Sequence, residues 1–292
     1  MAYDYRPRGL ARPPREKKGI FKFFEIYGRR FWTLMALNLI YSVIYIPVLV
    51  SWYLYTESGR YTPFLLCIIT AVLFGPSTAA MTKVCRNYSQ ERNAFVFADY
   101  IDAFKKNFKQ AEIMGIIDVI FIVGLIVAIP SYYQWAEKES FMYVPLVLTL
   151  SFTIVFFMMH YYIYLMIVST TLPLRKILRN AFFLVPLGLK YSVFTLLNWI
   201  WVALLVILLY PYSIFIMPFW PFGFLCFVNC FNCYPVIRKF VIQPYYDQRG
   251  EDNPEFDYLK KKEDEEVFED NPELDKPVEK KKQAKKKGKT IS

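Results

Sequence analysis

Six polar side chains stand inside long apolar stretches of the chain, where an amide or a charge needs a partner. Asp118 and His160 could share a proton, and this histidine is the only one in the sequence. Such groups predict either a polar pocket with a proton relay or hydrogen bonds that only orient neighbouring helices. The six residues are Asn38, Asp118, His160, Asn198, Asn229 and Asn232.

Three cysteines form a second pattern with possible chemistry, because Cys226, Cys230 and Cys233 have the CxxxCxxC spacing of some iron–sulfur sites. Such a site requires a loop after a barrel strand, which this sequence does not indicate. On a helix the same spacing places three small side chains on one face, where they suit close packing. We therefore expect no metal and no cofactor.

Enzyme motifs give no support for catalysis. The sequence has no Walker A, GxSxG or HExxH pattern, and a Ser/His/Asp triad would have to use His160. We expect that the protein is not an enzyme. An intramembrane acid–base site built on Asp118 and His160 is the remote alternative.

The segments that carry these residues are long and hydrophobic. Hydrophobic residues make up 55% of the 292 residues, and aromatic residues make up 19%. Runs of roughly 20 apolar residues cross a bilayer, and only helices satisfy the backbone within it. The sequence predicts an all-α polytopic membrane protein with six transmembrane helices, at about residues 31–55, 61–82, 110–133, 143–172, 191–212 and 215–237.

Basic side chains occupy every second connection between these segments. They concentrate in the N-terminal segment, in residues 83–109 and in residues 175–190, whereas the first two intervening connections hold only Arg60 and Lys138. Lysine and arginine mark the cytoplasmic side of a membrane protein. We predict a multi-pass protein of the cell membrane with both termini in the cytoplasm.

Amphipathic segments flank the spans on the predicted cytoplasmic side. In one of them a single helical face carries Phe97, Ile101, Phe104 and Phe108. Such a face favours a helix lying among the lipid headgroups. The alternative is a docking surface for a cytoplasmic partner, of the kind that ABC permeases use.

The two ends of the chain differ in composition from the membrane segments. We expect a disordered basic N-terminus at residues 1–19, a six-helix domain at 20–246 and a disordered cytoplasmic tail at 247–292. The tail is acidic and then basic, and its lysines predict contact with anionic lipid. Specific nucleic-acid binding is not expected, because no aromatic residues interleave with them. These lysines are Lys280, Lys281, Lys282, Lys285, Lys286 and Lys287.

A break interrupts the second apolar run at Gly75, Pro76, Ser77 and Thr78. Proline removes a backbone donor and glycine eases bending, so the sequence predicts a kink near the end of a helix and requires no ligand site there.

The stretches "FGPSTAAM" and "FVFADYIDAFKKNFKQA" resemble the YesL-like family of Gram-positive integral membrane proteins, whose shared domain is of unknown function and numbered 624. The resemblance is clear over about residues 20–115, and it implies a small multi-helix protein of the cell membrane. Genes of this family often lie beside those of carbohydrate-uptake ABC transporters. The resemblance therefore favours an accessory or regulatory role with ABC transporter subunits as partners. A small transporter or channel built around Asp118 is the alternative.

Overall fold

The computed structural model describes residues 19–60, 72–251 and 253, and over these residues the chain is helical with no strand. This confirms the all-α prediction for the described part of the chain. In chain order the helices are α1 Ile20–Arg29, α2 Phe31–Ser58, α3 Phe74–Ser89, α4 Val96–Lys138, α5 Tyr143–Ser169, α6 Leu174–Leu187, α7 Leu189–Leu208, α8 Ser213–Ile216, α9 Pro221–Ile237 and α10 Gln243–Asp247.

Within the described residues, four helical stretches are long and apolar enough to cross a membrane, namely Val96–Lys138, Ser140–Ser169, Leu189–Leu208 and Pro221–Asp247. The two parts of α2, Phe31–Ile44 and Leu49–Ser58, make a fifth candidate if they are taken as one span across a 41° bend. Several crossings indicate a multi-pass membrane protein. The predicted second span, 61–82, begins in residues 61–71, which lie outside the described residues, and ends inside α3.

Helix α3 is less apolar than the candidate spans because it is enclosed by the protein. Eleven of its 16 residues are buried, including Ser77, Thr82 and Arg86. A helix that faces other helices needs no lipid-compatible surface, so small and polar residues are tolerated along it. Low hydropathy in α3 therefore reflects its central position.

Helix α4 corrects the expectation of a separate amphipathic helix. Its 43 residues run from Val96 to Lys138 without interruption, which corresponds to a length of about 64 Å at 1.5 Å per residue. This is about twice the thickness of the hydrocarbon layer. The amphipathic segment at 97–108 and the third span are therefore parts of one helix.

The break in the second apolar run lies slightly earlier than predicted. A turn at Leu73 precedes α3, and Pro76 occupies the first turn of that helix. A proline costs little there, because the first backbone N–H groups of a helix have no partner within the helix. The stretch predicted to bend therefore coincides with the first turn of α3, directly after helical Val72 and the turn at Leu73.

The densest packing lies toward the predicted cytoplasmic ends of the helices. On α5 the residues from Tyr161 to Val168 are all buried, whereas Val147 and Leu148 are exposed. On α4, Ile120 and Ile126 are also exposed. Exposed aliphatic side chains at these positions suit contact with lipid tails.

The chain divides into two compact units, residues 1–244 and residues 245–292. In the second unit the Arg249 guanidinium stacks 4.4 Å from the centre of the Tyr245 ring. The predicted lipid-binding lysines from Lys280 to Lys287 and nearly all of the predicted N-terminal segment lie outside the described residues.

Candidate functional site

Asp118 of α4 and His160 of α5 form a hydrogen-bonded pair within the candidate spans. The Asp118 Oδ1 atom lies 2.7 Å from His160 Nε2, and the Tyr164 hydroxyl donates to Asp118 Oδ2 over 2.8 Å. The other imidazole nitrogen, Nδ1, lies 2.8 Å from the carbonyl oxygen of Phe156. Both oxygens of the carboxylate therefore have partners, and so do both nitrogens of the ring.

These contacts define how many protons the pair holds. A carbonyl oxygen only accepts hydrogen bonds, so His160 Nδ1 must donate to Phe156 and carries a hydrogen. One further proton then lies between His160 Nε2 and Asp118 Oδ1. Whether it sits on nitrogen or oxygen, the pair as a whole is neutral, which is the state that a low-dielectric setting favours.

Helix periodicity positions the site. Phe156, His160 and Tyr164 are spaced four residues apart, so they stack along one face of α5, and Asp118 meets this face from α4. The side chains of Asp118 and His160 are each 21% exposed, so the pair is largely enclosed. An unpaired charge in this position would cost several kcal/mol, and its partners remove that cost.

Tyr164 was not singled out from the sequence. Its signal is its position four residues after His160, which places it on the same helical face. Because the segment "HYYIY" contains three tyrosines, the choice among them requires knowing which face of α5 meets α4.

The asparagines do not join Asp118. Asn38 is fully buried, donates to the Met217 carbonyl over 2.9 Å and accepts from the Gly223 amide over 2.6 Å. These bonds attach α2 to α9 and to the segment that leads into it. Asn198 donates to Phe194 within its own helix, over 2.8 Å.

Asn229 and Asn232 of α9 contact two different helices. Asn229 donates to the Tyr161 carbonyl of α5 over 3.2 Å, and Asn232 donates to the Thr195 hydroxyl of α7 over 3.3 Å. The six polar residues predicted from the sequence therefore do not form a single site. Asp118 and His160 form one site, while the amides make separate bonds, mostly between helices.

The stretch from Gly75 to Thr78 packs α3 against its neighbours. A Cβ atom added to Gly75 would lie 2.0 Å from the Ala111 carbonyl oxygen of α4, and one added to Gly115 would lie 2.7 Å from the Val72 carbonyl oxygen. The two backbones approach closely because both residues are glycine. Ser77 hydrogen-bonds Tyr100, and Thr78 hydrogen-bonds Tyr41 over 3.1 Å.

The cysteines of α9 also contact neighbouring helices. The Cys230 thiol donates to the Thr82 carbonyl over 3.6 Å, and Cys226 lies 3.7 Å from the Thr82 hydroxyl. Cys233 lies 3.8 Å from the Thr195 hydroxyl. Among the described residues, no group of three His, Cys, Asp or Glu side chains could hold a metal ion.

The predicted docking face of α4 is only partly free. Ile101 and Phe104 pack against the buried core, and Phe104 also contacts the Phe108 ring at 5.6 Å between centroids. Phe97 is 68% exposed.

One protein-family model matches a part of the chain that includes α3 and most of α4. Residues 50–129 match a family model described as a protein of unknown function, DUF624. The matched segment contains the close approach of Gly75 to Gly115 and the carboxylate of Asp118, but it ends before His160 and Tyr164. No curated protein and no solved structure matches the chain.

Proposed function

We propose that the protein is a small proton-coupled transporter or channel of the cell membrane and that Asp118, His160 and Tyr164 form its proton-binding site. One observation carries the proposal: His160 Nε2 and Asp118 Oδ1 lie 2.7 Å apart between two candidate spans. Ionisable groups at such positions are rare in membrane proteins, and they typically mark ion or proton pathways.

The pair is suited to gain and lose a proton. If the proton between Asp118 and His160 is lost, the Asp118 carboxylate faces the lone pair of His160 Nε2. If a second proton is gained, a positively charged His160 ring lies beside a neutral Asp118 carboxyl group. Each change creates a net charge that disfavours the contact between α4 and α5. A proton-driven change in helix packing follows from this coupling, and it is the step that a transporter needs.

Purified protein in liposomes tests the proposal. An inward proton movement is driven by a potassium diffusion potential and followed with an internal pH dye, with and without a panel of mono- and oligosaccharides. We expect flux through the wild type and background flux through Asp118→Asn. Asp102→Asn, an exposed carboxylate on the same helix, is the matched control. Equal flux through both variants and the wild type would overturn the proposal.

A second candidate function is an accessory or regulatory role in carbohydrate ABC uptake. Two observations favour it: the resemblance to YesL-like proteins of Gram-positive cell membranes, and the exposed aromatic side chains on the predicted cytoplasmic side. Phe21 of α1 is 76% exposed, and Phe95 and Phe97 at the start of α4 are 81% and 68% exposed. Large exposed aromatic residues favour a lipid or protein contact.

Affinity purification of the tagged protein from its own membranes in mild detergent tests this role. An accessory subunit brings down a permease and its ATPase in near-equal amounts, and Phe97→Ser reduces their recovery. Phe152→Ser, at an exposed aromatic position within α5, is the matched control and should leave the recovery unchanged. Recovery of the protein alone counts against the accessory role.

A further inference from the structure

A second group of polar side chains lies where α5, α7 and α9 meet. It consists of Tyr161 of α5, Trp199 of α7 and Asn229 of α9. The Tyr161 hydroxyl, the Trp199 Nε1 atom and the Asn229 Oδ1 atom are buried, and each has no hydrogen-bond partner among the residues that the structure describes. These three atoms take no part in the contacts of Asp118.

Direct contacts hold the three side chains close to one another. The Phe157 ring lies 5.4 Å from the Trp199 ring and 5.5 Å from the Tyr161 ring, measured between centroids. Asn229 donates from its amide nitrogen to the Tyr161 carbonyl over 3.2 Å. Phe157 and Tyr161 are one helical turn apart, so a single turn of α5 contacts both α7 and α9.

The contacts between α7 and α9 define how these two helices align. The Thr195 hydroxyl accepts from Asn232 over 3.3 Å. Later on α7, the Trp201 ring lies 6.4 Å from the ring of Phe224, which comes earlier on α9. The two helices therefore run antiparallel.

This alignment places Trp199 beside Asn229. Trp199 follows Thr195 by four residues, and Asn229 precedes Asn232 by three. Side chains three or four residues apart share a helix face, so both residues lie on the faces that make the contact. Because Asn229 also bonds the Tyr161 carbonyl, the three partnerless atoms belong to one interface.

The three atoms differ in the hydrogen bonds that they can make. An indole N–H only donates, an amide oxygen only accepts, and a tyrosine hydroxyl can do either. The orientation of the Asn229 amide is fixed, because only its nitrogen can donate to the Tyr161 carbonyl. A buried polar atom without a partner costs stability, and the membrane interior supplies no bulk water to bond it. Three such atoms at one interface indicate a bound polar group.

We propose that Tyr161, Trp199 and Asn229 bind one uncharged hydroxyl group. Its oxygen accepts from the Trp199 N–H and the Tyr161 hydroxyl, while its hydrogen donates to the Asn229 oxygen. A carbonyl group cannot donate to the asparagine, and an ammonium group cannot accept from the tryptophan. The hydroxyl group belongs either to an internal water molecule or to a small polyol.

Thermal unfolding of the full chain in detergent tests the site through Tyr161→Phe, which removes only the hydroxyl. We expect the melting temperature to fall by about 2 to 4 °C, because one hydrogen bond to the bound group is lost. If the hydroxyl has no partner, its removal relieves a desolvation cost instead. An unchanged or higher melting temperature in Tyr161→Phe would therefore overturn the proposal.

A double-mutant cycle tests whether the side chains hold the same group. Tyr161→Phe and Trp199→Phe together should lower the melting temperature by less than the sum of their separate effects, because each weakens the hold on one hydroxyl group. Tyr162→Phe combined with Trp199→Phe is the matched control. The Tyr162 hydroxyl hydrogen-bonds Ser192 over 2.7 Å, so these two effects should add. Additive effects in the first pair, or equal coupling in both, would disprove a shared site. The result for Tyr161→Phe alone decides if Trp199→Phe does not fold.

Added hydroxyl compounds identify the source of the group. Glycerol and glucose are titrated into the wild type and into Tyr161→Phe while the melting temperature is followed. A shift that saturates in the wild type, with affinity about fivefold weaker in Tyr161→Phe, assigns a polyol ligand. Excluded solutes stabilise any folded protein without saturation. No shift, or an unsaturable one that is equal in both proteins, assigns an internal water molecule when the cycle shows coupling.

Discussion

At the residue scale, Asp118 can have two roles: its hydrogen bonds can hold α4 and α5 together, and its carboxylate can bind a proton. The carboxylate accepts one hydrogen bond from Tyr164 and shares one proton with the ring. An asparagine can make both contacts, because its oxygen accepts from the tyrosine and its amide donates to His160 Nε2. Only the titratable proton is then lost.

Substitution at Asp118 should therefore separate stability from transport. We expect Asp118→Asn to keep the melting temperature within about 2 °C of the wild type, since it replaces hydrogen bonds one for one. Asp118→Leu removes the partners of two enclosed polar groups, so it should lower the free energy of unfolding by about 1 to 3 kcal/mol. Thermal unfolding in detergent measures both variants. A large loss of stability in Asp118→Asn would mean that the charge itself holds the helices together.

A second prediction at this scale concerns Lys83. Its pKa is about 8 in the folded protein, below the ordinary value of 10.5, so the charged amine costs stability in full below pH 8. This cost fades as the pH rises from 8 to 10.5. Lys83→Met should raise the melting temperature by a few degrees at pH 7 and by less at pH 9.5.

Phosphate-free buffer is needed for this comparison, because a bound anion would offset the repulsion. Lys105→Met serves as control, since Lys105 is exposed on α4 and does not act on Lys83. A gain in stability that is the same at both pH values would show that added apolar burial, rather than relieved charge, is responsible.

At the element scale, the contact between α3 and α4 depends on backbone proximity. The Gly75 and Gly115 positions have no room for a side chain, because the opposing atoms are backbone carbonyls and amides that cannot move aside alone. The stretch at 75–78 therefore has a packing explanation, and it lies within the residues 50–129 that match the family model.

Alanine at Gly75 should separate the two helices. We expect Gly75→Ala to lower the free energy of unfolding by about 1 to 3 kcal/mol, in the range of overpacking substitutions. Gly124→Ala is the matched control on α4, because nothing lies within 4 Å of its added Cβ atom. Chemical denaturation in detergent measures the difference. If both alanine variants had the same stability, the close approach would not contribute to the fold.

The elements were easier to predict than their contacts. Long apolar runs gave the approximate positions of α2, α5, α7 and α9, because a membrane restricts spanning segments to helices. The continuity of α4 was missed, since a change in polarity along a helix does not end it. The role of Tyr164 and the close contact at Gly75 were also missed, because both depend on which face of one helix meets another.

At the scale of the whole molecule, the number of crossings decides where the termini lie. In the part of the chain that the structure describes, the four candidate spans and α2 give five crossings, and five alone would place the two termini on opposite sides of the membrane. The basic connections instead predict both termini in the cytoplasm, and this requires the sixth crossing predicted at residues 61–82. Helix α3 can complete that crossing because it is shielded from lipid by its neighbours.

Reporter fusions in cells test whether the chain crosses the membrane five or six times. A reporter active only outside the cytoplasm is fused after Arg60, after Asn93, after Glu139 and at the C-terminus, with a cytoplasmic reporter fused at the same sites. We expect an external signal at Arg60 and Glu139 and a cytoplasmic signal at Asn93 and the C-terminus. The pair at Arg60 and Asn93 is decisive, because these residues flank α3. Signals from one side at both sites would show that α3 returns without crossing, and the connection that carries Lys83 to Arg92 would then lie away from the anionic inner leaflet.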